Sequence, residues 1–145
     1  MRFWTKILYL VAKFAQGLLD TSVLIDLESI DPDLLPNEVS VSAISMAELS
    51  AGPHATSDPA ERARRQARLQ FIEASLSPFP FDADCARAYG LIFAAVSAAG
   101  RKPRGARAVD LMIAATSISL GLPLFTRNAV DFVGLEDLTK VVSVP

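Results

Sequence analysis

Short strand-forming runs that alternate with helix-forming stretches predict an α/β fold, a three-layer α/β/α sandwich around a mainly parallel sheet in a single domain. Three observations carry that prediction. Apolar or β-branched runs recur at 17–20, 39–42, 79–81, 122–125 and 140–144, with helical segments between most of them, which is the pattern of βαβ crossovers between parallel strands. The helices carry start and stop signals, among them Asp58-Pro59, Asp82 and Gly121. The 145 residues are 51% hydrophobic and 21% charged, enough to bury a core of ordinary size without disulfides or a structural metal.

In chain order, Gly17 to Asp20 reads as a short apolar strand that ends in an acid. A helix opens at Asp20-Thr21-Ser22, runs through Val23, Leu24 and Leu27, and is stopped by Asp31-Pro32-Asp33 and Pro36. Val39 to Ser42 alternates like a strand, and the next helix opens around Ser45-Met46-Ala47-Glu48 and closes at Gly52-Pro53. Asp58 followed by Pro59 places an N-cap and a first-turn proline ahead of a helix that reaches Leu76 and carries arginines at 62, 64, 65 and 68. Phe79 to Phe81 reads as a strand, Asp82 caps a helix that runs to Gly100, and the basic loop Arg101 to Arg107 leads into an apolar helix from Ala108 to Leu120. Strands at Leu122–Phe125 and Lys140–Val144 complete the chain, with no repeat, low-complexity tract or linker.

Residues 1–16 stand apart as an extension ahead of a 17–145 domain. Their apolar run is too short for a signal peptide or a membrane span, so the expected location is cytoplasmic, without membrane association. Phe3, Ile7, Leu10, Val11 and Phe14 fall on one face of a helix, so an amphipathic helix is one reading. The other is that translation starts at Val11.

The net charge of −2 conceals blocks. Residues 1–13 carry three bases and no acid, residues 14–60 eight acids and no base, residues 61–107 nine bases against four acids, and residues 108–145 two bases against four acids. A chain this acidic is not a general nucleic-acid coat, so any contact with phosphates falls to the arginines of the third block. Solvated helix faces account for the same runs. With one cysteine, Cys85, and one histidine, His54, the usual zinc sites and Ser-His-Asp triads are out of reach, and a bound metal would need oxygen ligands.

In an open parallel sheet the active site lies beyond the carboxyl ends of the strands. Asp20 and Asp131 belong on that edge, and Glu48 and Asp110 each fall in the first turn of a helix that starts there. Each acid also has a plain structural explanation. Asp20 could cap the following helix, Glu48 could complete a Ser45-x-x-Glu48 capping box, Asp131 could be a turn residue, and Asp110 could answer a helix dipole. Four acids on one edge repel one another, and that repulsion calls for a cation.

The segments LLDTSVLIDL (18–27), SAISMAELSAG (42–52), RAVDLMIAATSISLGLPLFT (107–126) and TRNAVDF (126–132) resemble the motifs of PIN-domain nucleases, most closely the VapC-like toxins of bacterial type II toxin-antitoxin pairs. The resemblance covers about residues 17–145 in the family's order. It implies metal-binding and catalytic acids at Asp20, Glu48, Asp110 and Asp131, with hydroxyl support from Thr21 or Ser22 and with Asn128 supporting the fourth acid. Asp20, Asp110 and Asp131 are assigned to ligation, direct or through water, and Glu48 to an outer ligand or water-orienting base. It further implies an endoribonuclease dependent on Mg2+, with Mn2+ as a substitute, that cuts structured tRNA or rRNA, is silenced by a cognate antitoxin and forms a homodimer. Arg101, Lys102, Arg104 and Arg107 flank Asp110 and are candidate phosphate contacts. Mg2+ prefers carboxylate oxygens and keeps several waters, so the residue types agree with the chemistry.

The competing classes fit less well. A receiver domain needs an adjacent acid pair, and a haloacid-dehalogenase-like phosphatase needs an acid two residues after its nucleophile, where this chain has Ser22. A PIN fold that only binds RNA or a protein partner is expected to have lost one of the four acids, and none is missing.

Overall fold

The structure is a computed structural model that describes residues 14–145; the expected amphipathic helix lies for the most part outside the described residues. Among the described residues four parallel strands form one sheet: β1 (Gln16–Leu19), β2 (Glu38–Ser40), β3 (Leu124–Thr126) and β4 (Val141–Ser143), in the order β2-β1-β3-β4. Leu18 pairs with Ser40 on one side and with Leu124 on the other, and Phe125 pairs with Val142. β1 is therefore central and is followed on either flank by strands reached through crossovers, the arrangement that opens a crevice at its carboxyl end.

Both faces of the sheet are covered, because neighbouring residues of a strand point to opposite sides. Leu19 and Phe125 face one core with Val23, Leu24, Met46, Leu49, Leu69 and Ile72, which come from α1 (Thr21–Ile25), α2 (Ala43–Ala51) and α3 (Pro59–Ser75). Leu18 and Leu124 face the other with Ile92, Val96, Leu111 and Ile113, which come from α4 (Ala83–Ala98) and α5 (Ala106–Leu120). Chain pairing begins ahead of β1, where the carbonyls of Phe14 and Ala15 accept the N–H groups of Asn37 and Glu38. A Cβ on Gly17 would sit 2.5 Å from the Phe125 ring, so only glycine lets β1 lie flush against β3 at this point.

Local chemistry explains most boundaries. Asp58 accepts the Ala60 N–H and Asp82 the Cys85 N–H, as helix caps should, and Gly121 ends α5 in the left-handed conformation that its missing Cβ permits. Four expectations need correction. The run 79–81 is not a strand but a single parallel bridge from Phe79 to Ser42; prolines at 78 and 80 remove the donors that a longer ladder needs. The helix after β1 stops at Ile25 and gives way to 3-10 turns at Leu27–Ser29 and Pro32–Leu34. The helices α2 and α5 begin two residues earlier than their sequences suggest, at Ala43 and Ala106, which moves Glu48 and Asp110 out of the first turn. The strand expected at 122–125 starts only at Leu124, after Pro123.

Candidate active site at the carboxyl edge of the sheet

The last N–H of the β1 ladder belongs to Asp20, which donates to the Phe125 carbonyl at 2.8 Å and so holds the carboxylate at the mouth of the β1–β3 crevice. Asp20 is 3% exposed. Its backbone precedes α1 but its side chain makes no capping bond, so the helix-cap explanation fails for it. Instead both hydroxyls within reach converge on one oxygen: Ser22 Oγ donates to Asp20 Oδ2 at 2.7 Å, and the buried Thr126 Oγ1 donates to the same atom at 2.8 Å. The other oxygen, Asp20 Oδ1, is buried with no hydrogen-bond partner among the described residues. A buried carboxylate oxygen without a partner is costly in a finished fold, and its lone pairs can accept a proton or a cation.

Glu48 is held differently. The cap of α2 is Ser42, which accepts the Ser45 N–H at 3.0 Å, so the Ser45–Glu48 capping box does not form. Thr21 Oγ1 lies 2.6 Å from Glu48 Oε1 and 2.9 Å from Ser45 Oγ; with one proton to give, Thr21 serves the carboxylate. Of the two candidate hydroxyls, then, Ser22 donates to Asp20 and Thr21 to Glu48.

Asp110 enters from α5. Partial burial and the negative charges of Asp20, Asp131 and Glu48 push its carboxyl up from 3.8 to about 6, against a smaller opposing pull from Arg107. Burial is the leading cause, and the three carboxylates that follow it show that all four acids share one field. Asp131 sits in the 3-10 turn Ala129–Phe132, where its N–H donates to the Asn128 carbonyl at 2.9 Å. That bond is a backbone turn contact, and the Asn128 side chain does not cap the turn. Among the described residues no three histidine, cysteine, aspartate or glutamate side chains are already gathered tightly enough to hold an ion unaided.

Asp110 and Asp131 line an open cleft of about 520 Å³ together with Lys102, Arg104 and Arg107. Arg101 is set apart, since its guanidinium donates to the Val130 carbonyl at 2.8 Å and anchors the basic loop to the turn that carries Asp131. Two further clefts lie along α1 and α3. One of about 300 Å³ runs past Thr21, Glu48, Glu61 and Arg65. It shares Ile25 and Arg68 with an apolar groove of about 580 Å³ between α1 and α3, whose walls include Leu24, Leu27, Phe71 and Ile72. Phe71 there is 57% exposed. Thr126 is the site residue that sequence reasoning did not single out; its signal was a hydroxyl that closes an otherwise apolar strand.

Residues 17–133 match the family model described as PIN domain. The chain is 35% identical over 130 residues to Ribonuclease VapC5 of Mycobacterium tuberculosis, an alignment that spans 88% of this chain and 93% of that one. Among solved structures, VapBC-5 of Mycobacterium tuberculosis, described as a member of the VapBC family of toxin-antitoxin systems, superposes with a TM-score of 0.79 at 33% identity over 90% of this chain and 99% of its own. VapBC-1 of nontypeable Haemophilus influenzae gives 0.67 at 25% identity over 86% and 96%. With the family model matched over most of the chain's length, a relative at 35% identity and a four-strand parallel sheet that superposes on VapBC-5, the chain belongs to the PIN-domain family, among the proteins related to VapC.

Proposed function

We propose that the chain is a metal-dependent endoribonuclease, the toxin of a toxin-antitoxin pair, which cuts structured RNA of the tRNA or rRNA class. The observation that carries this reading is Asp20 Oδ1, buried without a hydrogen-bond partner among the described residues, in the same electrostatic neighbourhood as Asp110, whose carboxyl is raised by burial and by the charges of Asp20, Asp131 and Glu48. An all-oxygen donor set of this kind suits Mg2+ or Mn2+, and because Mg2+ retains several waters the acids need not close around it. Asp20, Asp110 and Asp131 would hold the ion, directly or through water. Such an ion supplies positive charge to a phosphodiester under attack and eases the loss of a proton from water. Glu48, fixed by Thr21, orients the attacking water or takes its proton. Lys102, Arg104 and Arg107 hold the RNA backbone beside Asp110 and Asp131.

The partner that silences the activity is an antitoxin segment laid in the apolar groove. The groove joins the cleft at Glu48 through Ile25 and Arg68, so one segment can fill it and reach Glu48. Association of two copies of the chain belongs to the same reading. Among the described residues no helix is long and apolar enough to cross a membrane.

The deciding experiment is to map new 5′ ends in total RNA after induced expression of the wild type and of Asp20→Asn. Discrete cuts in structured RNA with the wild type alone are expected. Identical RNA profiles from the two would overturn the nuclease reading and favour a PIN fold that only binds.

A further inference from the structure

Arg127 connects the acid site to the wall of the apolar groove. It follows β3 directly, and it holds α1 at two points. Its backbone N–H donates to Ser22 Oγ at 3.0 Å, and its guanidinium donates to Asp26 Oδ2 at 2.6 Å. Ser22 lies in the first turn of α1 and Asp26 is the residue that ends it, so one arginine clasps both ends of a five-residue helix. Ser22 is the same hydroxyl that donates to Asp20 Oδ2, and Thr126, the neighbour of Arg127, supplies the second donor to that oxygen. The Asn128 N–H donates to Thr126 Oγ1 at 3.0 Å, which orients that hydroxyl.

The two charged side chains are 34% and 46% exposed, so the pair is a poor source of stability. Its position has more to do. A helix of five residues has too few internal hydrogen bonds to fix its own place, and the register of Ser22 on Asp20 depends on what ties α1 to β3. Asp26 also faces the apolar groove, beside Glu28.

We propose that Arg127 is a positioning residue that holds α1 against the end of β3 through Asp26, so that Ser22 and Thr126 both donate to Asp20 Oδ2 and Oδ1 is left free. Where RNA cleavage is concerned, this rests on the nuclease reading. The contact geometry does not.

The test uses the full chain and the variants Arg127→Ala, Arg127→Lys, Asp26→Asn and the double variant Arg127→Ala/Asp26→Asn, on an RNA oligonucleotide that the wild type cuts. Arg127→Ala and Asp26→Asn should each lower kcat about tenfold with KM unchanged, as expected for misplaced groups that do not touch substrate. The double variant should be no worse than Arg127→Ala, and Arg127→Lys should recover part of the loss. A rise in KM with kcat unchanged would make Arg127 a phosphate contact, and losses that multiply would separate it from Asp26; either overturns the proposal. Independently of any cleavage, amide hydrogen exchange followed by NMR should show the Arg127 N–H exchanging several-fold faster in Asp26→Asn, while Leu124 in β3 keeps its rate. An unchanged Arg127 rate overturns the proposal even if cleavage behaves as expected. Should the wild type cut no RNA, the nuclease reading fails and the exchange result alone decides.

Discussion

Two groups of aspartates in this chain answer the same chemical problem in opposite ways. At the amino ends of α3 and α4, Asp58 and Asp82 stand in solvent and accept backbone N–H groups, and the hydrogen bond from the Cys85 N–H holds the Asp82 carboxyl below its usual value. At the carboxyl edge of the sheet, Asp20 is buried with one oxygen bare, and Asp110 is pushed up to about 6 by burial and by its acidic neighbours. The first group stabilises the fold and the second strains it. Acids that cost the fold stability in this way are expected where function requires them, since perturbed carboxyls gather at working sites.

The largest effect that can break this comparison is on cleavage. Asp110→Asn should lower RNA cleavage by at least about a hundredfold, because an amide is a poorer ligand for a hard cation and cannot carry the charge of a carboxylate. Asp82→Asn should leave cleavage at the wild-type rate. Equal activity of Asp110→Asn and wild type, measured on enzyme purified away from host nucleases, would place Asp110 with the caps.

A smaller effect, on stability, sharpens the other half. Asp82→Ala removes the acceptor for the Cys85 N–H and should lower the melting temperature by a few degrees, with cleavage at permissive temperature unchanged. Because the folded Asp82 carboxyl titrates below its unfolded value, its contribution is present above about pH 4 and fades as acid protonates it. Thermal melts of the two proteins between pH 3 and 7 should therefore converge toward the acid end. A constant gap would mean that the cap does not act through its charge.

Much of this contrast was legible before any coordinates. Asp58-Pro59 and Asp82 announce themselves by local rules, and the alternation of runs is sufficient for a parallel sheet, because a strand's faces and a helix's caps are set by residues close in sequence. The four acids could be placed on one edge by topology alone. Not all of their partners could. Ser22 lies two residues from Asp20, but Thr126 meets the same oxygen across 106 residues, a contact that only the β1–β3 register creates. The Ser45–Glu48 box failed for a related reason: the pattern was present, but α2 starts at Ala43, and Ser42 takes the capping role. The bridge at Phe79 shows that a strand-like run flanked by prolines lacks the donors to become one.

The smallest effect is a gain. In the metal-free folded chain Asp110 keeps its proton up to about pH 6, whereas in the unfolded chain it loses it near 3.8. Between those values the folded state binds more protons than the unfolded one, so metal-free stability falls as pH rises through that window and stays lowered at neutral pH. Asn at this position keeps the shape and removes the charge, so at pH 7 in chelator Asp110→Asn should be more stable than wild type by about 0.5–2 kcal/mol, a range kept modest because the carboxyl is only partly buried. At pH 4, where the wild-type carboxyl is already protonated in the fold, most of that gain should vanish. Saturating Mg2+ at pH 7 should narrow it as well, since an ion that binds the wild-type native state stabilises it by mass action and finds one ligand fewer in the variant. Melts at both pH values, with chelator and with Mg2+, measure all of these differences. A variant that melts below wild type in chelator at pH 7 would show Asp110 stabilising the fold as Asp82 does, and the division between the two groups of aspartates would fail at its most strongly shifted member.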